Sequence, residues 1–137
     1  MIAGLLTDPR LGSEYSMRIR RLPHCDEILA GDATKLRELL HPDRNYPFGG
    51  RYSLAHATVA PGRSTRRHRL RSDEVYYILA GRGEMHIDSE VAPVAAGDAV
   101  EIPPGSVQWI TNIGPESLEF LCIVDPAWRA EDEEVLP

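Results

Sequence analysis

The sequence predicts an all-β protein, an antiparallel sandwich or barrel carrying one short N-terminal helix. Three observations lead there. From about Tyr52 to Val124 the chain is a succession of short apolar runs punctuated by Gly, Pro, Asn and Asp, the spacing of strands joined by turns. A single window has the periodicity of a helix. A length of 137 residues, 42% of them hydrophobic, suits one core rather than two.

In chain order, the opening MIAGLLTDPRLGSEY has too short an apolar run for a signal peptide and meets Asp8 and Pro9 early. No window approaches a membrane-spanning length, so a cytoplasmic protein without a membrane partner is expected. The helical window is GDATKLRELLHP, residues 31–42. Asp32 can cap its N-terminus, Leu36, Leu39 and Leu40 form an apolar stripe, and Pro42 ends it. The strand-like runs follow: YSLAHATV, RRHRLR, EVYYILA, GEMHID, APVAA, AVEIP, VQWITN and LEFLCIV. The tail RAEDEEVLP is acidic and lacks a periodic apolar face, which reads as solvated or loosely docked backbone. The expected division is residues 1–50 as an N-terminal strand and helix packed on the barrel, 51–125 as the barrel, and 126–137 as the acidic tail.

The formal net charge of −6 disfavours general nucleic-acid binding, which relies on Lys and Arg against phosphates. Five arginines, Arg63, Arg66, Arg67, Arg69 and Arg71, still cluster in one segment. They read either as a solvated loop and outer strand face, or with Arg63 or Arg66 steering an anionic ligand toward a pocket. Of the two cysteines, Cys122 reads as a small buried hydrophobe. Cys25 beside His24 lacks the partner pair a zinc site needs, and no disulfide is expected in a reducing compartment.

Strand alternation puts His68 and Leu70 on one face and Arg67, Arg69 and Arg71 on the other. On the next run Glu74, Tyr76 and Ile78 share a face, and Val75, Tyr77 and Leu79 share the opposite one. Both faces are largely apolar, so cover on both sides is expected. Tyr76 reads as core or as a phenolic proton donor beside Glu74. His56 is a candidate for the same cavity, while His24, His41 and His86 read as surface or terminal residues. Trp109 alternates with Gln108 and Ile110, which places it away from the pocket, toward a partner subunit.

The stretch from Gly62 resembles the first signature of the cupin superfamily, with Gly62, His68, Glu74 and Gly81 at the family spacing and Leu70 where a second histidine belongs. Gly97, Pro103, Gly105 and Asn112 match the second signature, with Gln108 in the place of its histidine. The resemblance implies a jelly-roll barrel, or double-stranded β-helix, over about residues 52–124, and a divalent metal (Mn, Fe, Ni or Zn) in it. The carried-over metal candidates are His68 and Glu74, with Gln108 as a neutral oxygen donor. His68 also reads as a base, a substrate contact or a structural histidine. Leu70 ligates nothing and dries one side of the pocket. Such a reduced set implies weak binding of a borderline or harder ion.

The expected function is binding of a small polar, anionic molecule in the barrel. Metal-assisted lyase, isomerase or dioxygenase chemistry would use Glu74 and Tyr76 as catalytic groups, and Arg66, Gln108 and Tyr76 as substrate contacts. The alternative is a metabolite-binding module or structural barrel without metal. The resemblance also implies a homodimer, with SMRIRRL (residues 16–22) as a strand available for exchange.

Overall fold

The computed structural model describes residues 17–29, 34–44 and 48–137. Eleven strands occur in them: β1 (Glu27–Leu29), β2 (Thr34–Leu40), β3 (Ser53–Val59), β4 (His68–Leu70), β5 (Asp73–Ala80), β6 (Arg82–Ile87), β7 (Glu90–Ala95), β8 (Ala99–Ile102), β9 (Gln108–Asn112), β10 (Leu118–Asp125) and β11 (Glu133–Val135). They form a six-stranded sheet ordered β1-β2-β3-β10-β5-β8 and a five-stranded sheet ordered β11-β4-β9-β6-β7. All pairs are antiparallel. Inward side chains of the two sheets enclose a core centred on Phe120, Ile78, Ile110 and Leu118, each at most 1% exposed.

All eight strand-like runs are strands, and the predicted helix is not a helix. Residues 34–40 form β2, paired with β3 from Thr34↔Val59 to Leu40↔Leu54, with a bulge between Glu38 and Leu40. The bulge inserts one extra residue, which is how leucines at positions 36, 39 and 40 fit a strand although their spacing copies a helix stripe. Long-range pairing with β3 overrides the local periodicity. The start of that window, residues 31–33, lies outside the described residues. The regular helical pieces among the described residues are two three-residue 3-10 turns, Leu22–His24 and Ala130–Asp132.

One other expectation changes. Residues 17–21 of the segment considered for strand exchange belong to no strand of this chain, and its first residue lies outside the described residues. The acidic tail is not solvated backbone: Glu133, Glu134 and Val135 pair with Leu70, Arg69 and His68. Main-chain bonds from Arg71 N to Asp132 O (3.0 Å) and from Leu136 N to Arg67 O (2.8 Å) extend that pairing at both ends.

The glycines and asparagine of the two motifs act on the backbone. Gly81 has φ 85°, and a Cβ there would meet Ser117 O at 2.7 Å, so the β5–β6 turn admits no side chain. Gly105, at φ 81°, donates its N–H to Leu70 O at 2.7 Å, tying the turn before β9 to β4. The buried Asn112 amide donates to Val59 O (2.9 Å) and Glu116 O (2.7 Å), while its oxygen accepts Gly114 N (2.9 Å). These bonds fix how the two sheets meet and hence where β4, β5 and β9 present their inward side chains.

Candidate functional site

Between the sheets lies a cavity of about 380 Å³. Alternation on each bordering strand decides what enters it. β4 and the residues before it contribute Arg66, His68 and Leu70; β5 contributes Glu74 and Tyr76; β11 contributes Glu133 and Val135. In the same sheet as β5, β2 and β3 present Thr34, Leu36, Glu38, Ser53, Ala55 and Ala57, and β10 presents Phe120, Cys122 and Val124. The apolar share of this wall is large, so a charged group within it is poorly hydrated.

The floor is a chain of three buried polar side chains. Tyr76 donates its hydroxyl to Gln108 Oε1 at 2.9 Å, and Gln108 donates from Nε2 to Glu74 Oε1 at 2.8 Å. Tyr76, Gln108 and Glu74 are 3%, 1% and 6% exposed, and the Tyr76 ring rests on Phe120 with centroids 4.5 Å apart. Glu74 Oε2 takes no part in this chain. Burial holds the Glu74 carboxyl at about 7, against the Gln108 hydrogen bond that lowers it, and the charge of Glu133 raises it further. Burial likewise pushes the Tyr76 phenol well up, with the Glu74 charge adding to it. The Cys122 thiol is raised for the same two reasons.

His68 stands beside this floor, opposite Gln108 in the β4–β9 pairing. Its Nδ1 lies 2.7 Å from Arg66 O. A carbonyl only accepts, so Nδ1 carries the proton and Nε2 is the ring's remaining acceptor. Arg66 lines the cavity from its exposed end, while Arg63 does not line it. The structure thus brings Glu74, Tyr76, Gln108, His68 and Arg66 to one cavity or its floor.

These residues do not fit a tightly held divalent ion. Gln108 uses its amide oxygen to accept Tyr76, Leu70 offers no donor, and among the described residues no three His, Cys, Asp or Glu side chains converge as a ligand group. Gln108 bonds to both Glu74 and Tyr76.

The other histidines are placed differently from one another. His56 points away from the cavity, since Ala55 and Ala57 on either side of it face inward, and it pairs with Glu119 at 3.1 Å. His41, expected at the surface, is 2% exposed. It accepts Asp43 N at Nδ1 (3.1 Å) and so donates from Nε2 to Trp128 O (2.7 Å). Trp109 faces out of the five-stranded sheet, stacked on His86 at 4.3 Å with Arg67 4.9 Å from its ring centre. Sequence reasoning missed Thr34, Glu133 and Val135 as lining residues. Thr34 was assigned to a helix, and the three-residue strand Glu133–Val135 is too short to show alternation. Both cysteines are free and buried, with Cys122 on the cavity wall.

The cupin domain model matches residues 55–124. The chain is 44% identical over 106 residues to the uncharacterized protein MJ1618 of Methanocaldococcus jannaschii, covering 77% of this chain and 83% of that one. It is 35% identical over 72 residues to an oxalate-binding protein of Thermotoga maritima, covering 52% of this chain and 60% of that protein. Among solved structures, Bacillus subtilis oxalate decarboxylase, described with Mn(II) centres, superposes with a TM-score of 0.74 at 24% identity, over 85% of this chain and 31% of that one; this likeness is one of fold. The match spans the strands that carry both motifs, the two-sheet architecture agrees with it, and the chain belongs to the cupin family.

Proposed function

We propose that the barrel binds a small carboxylate, with Arg66 drawing the anion in at the mouth and Glu74 exchanging a proton with the bound molecule on the floor. The Tyr76–Gln108–Glu74 chain carries this reading. It anchors one carboxylate oxygen and leaves Oε2 as the reactive atom, at a proton affinity suited to transfer near neutral pH. Arg66 supports the anion, because Arg44, also on the cavity wall, is bonded to Glu38 at 2.7 Å. The oxalate-binding relative supports a small carboxylate as the ligand class. His68 Nε2 supplies a further acceptor for a ligand hydroxyl or amine. Because the donor set does not fit the ion, the proposal needs no metal.

Calorimetric titration with oxalate, butyrate and hexanoate tests it. At least one acid is expected to bind, and Arg66→Ala is expected to weaken it about tenfold, the scale of one lost charge-assisted hydrogen bond. Failure of all three to bind the parent would overturn the reading.

A homodimer belongs to the same proposal. Tyr77, Leu79 and Ile123 are 41%, 42% and 36% exposed on the neighbouring strands β5 and β10. Light scattering that gives a monomer mass at micromolar concentration would remove the dimer.

A further inference from the structure

The two sheets are joined along one side and parted along the other. On the joined side the β7–β8 turn is tied to β5, with Ile78 N donating to Asp98 O and Gly97 N to Ile78 O, both at 2.9 Å. On the parted side each sheet ends in a three-residue edge strand, β1 in the six-stranded sheet and β11 in the five-stranded one. The cavity opens there: both of these edge strands line it, and no described residue of β6, β7 or β8 does.

These edges are apolar where they meet the opening. Ile28 and Leu29 of β1 and Val135 of β11 line the cavity while remaining 56%, 66% and 49% exposed. Register places them: Ile28 lies opposite Leu36, which also lines the cavity, and Val135 lies opposite His68. Large apolar side chains that belong to a cavity and still face water are dried only by an apolar group filling the gap between them. Size points the same way. At about 30 Å³ for each heavy atom, oxalate fills roughly half of the cavity's 380 Å³. A largely apolar cavity of this volume suits a longer molecule. Both edge strands also lie outside residues 55–124, the part matched by the cupin domain model, so this entrance is added to the shared barrel.

Resting on the proposed carboxylate site, we infer that Ile28, Leu29 and Val135 select the ligand's apolar end, so that the ligand class is a carboxylate whose hydrocarbon tail is long enough to reach the edge strands, as in a medium-chain acid. The carboxylate is held between Arg66 and the floor, and the tail runs past Leu36 into the gap between β1 and β11. A tail there removes its own surface and that of the edges from water together. Each further methylene therefore adds affinity until the chain passes beyond the edges. A short acid leaves the edges wet and gains nothing from them.

The test uses the full chain and calorimetric titration with oxalate, butyrate, hexanoate and octanoate. Octanoate is expected to bind about tenfold tighter than hexanoate, the scale of two buried methylenes. Ile28→Ser combined with Val135→Ser is expected to bring that ratio toward one and to leave butyrate binding unchanged. Val91→Ser, which alters a 57% exposed residue of β7 away from the cavity, is expected to leave the ratio intact. If hexanoate and octanoate bind the parent equally, or the double variant keeps the ratio, the inference falls and the carboxylate site stands. If Val91→Ser lowers the ratio as fully, octanoate coats apolar surface at large and the edges select nothing. A double variant that weakens butyrate as much as octanoate would show that the edges only brace the barrel. One that changes the mass in light scattering and not the ratio would show that they seat a second copy. Either result overturns the inference. If none of the four acids binds, the underlying site itself is wrong.

Discussion

On the cavity floor, Glu74, Tyr76 and Gln108 come from strands β5 and β9, deep in the paired sheets, and bond to one another before any ligand arrives. On the wall at the edge of the five-stranded sheet, Glu133 and Val135 come from a three-residue strand whose partner β4 is also only three residues long. The floor has its polar groups committed and its geometry fixed by neighbours on both sides. The wall has its main chain paired and its inward side chains uncommitted. Preorganised groups hold a reacting atom in place, whereas uncommitted ones at an edge are where ligand choice can differ between relatives that share a barrel.

The largest effect is expected from breaking the floor. Gln108→Leu removes both of its hydrogen bonds, leaving the Tyr76 hydroxyl and a Glu74 carboxylate buried without partners. The expected loss is about 3–5 kcal/mol at pH 8, the range for stripping the partner from a buried charge. Denaturant melts of parent and variant check this. A change below about 1 kcal/mol would mean that water enters the floor and replaces the amide, in which case floor and wall do not differ as described.

The same contrast decides what the sequence could disclose. Alternation puts Glu74 and Tyr76 on one face of a long strand, while Gly81, Gly105 and Asn112 stood out only through the resemblance to the cupin signatures. The role of Gln108 was legible in position but not in use: only the placement of Tyr76 across the sheet shows that its oxygen is taken. β2 was not legible, because a bulge gave its leucines a helix-like spacing and only pairing with β3 resolves the ambiguity. The wall was illegible for a further reason. A strand of three residues has too few positions to show a period, and its stability comes from main-chain bonds that any sequence can make. His41 fails similarly, since nothing local tells a buried histidine from an exposed one.

A second effect, somewhat smaller, sharpens the comparison through pH. The Glu74 carboxyl sits at about 7 in the folded protein against an ordinary 4.5, mainly because it is buried. Below about 4.5 folded and unfolded chains both hold the proton. Between there and about 7 only the folded chain keeps it, so stability falls as pH rises through this window and levels off above it. The full difference is about 3 kcal/mol. Glu74→Gln cannot ionise, and its side-chain oxygen can still accept from Gln108 Nε2. Relative to the parent it is expected to gain stability steadily from pH 5 to pH 8. A parent-minus-variant difference that does not change with pH would show that Glu74 is hydrated and not part of a dry floor.

The smallest effect is on the wall. Arg69 and Glu134 form an exposed pair across β4 and β11, with side chains 43% and 60% accessible, and such pairs contribute about 0–1 kcal/mol. Arg69→Ala should therefore barely move the global unfolding midpoint. Its effect should appear locally, because β11 is an edge strand held by few bonds and opens more readily than β10, which is paired on both sides. The amides of Leu136 and Arg71 donate to Arg67 O and Asp132 O and report on that opening. In the variant they are expected to exchange several-fold faster, while amides of β10 such as that of Leu121 keep the parent rate. Equal acceleration in β10 would mean that the wall and the floor open as one unit. Unchanged exchange at Leu136 and Arg71 would mean that the main-chain pairing of β11 alone holds the wall, with the ion pair adding nothing to the closure that brings Glu133 to the cavity.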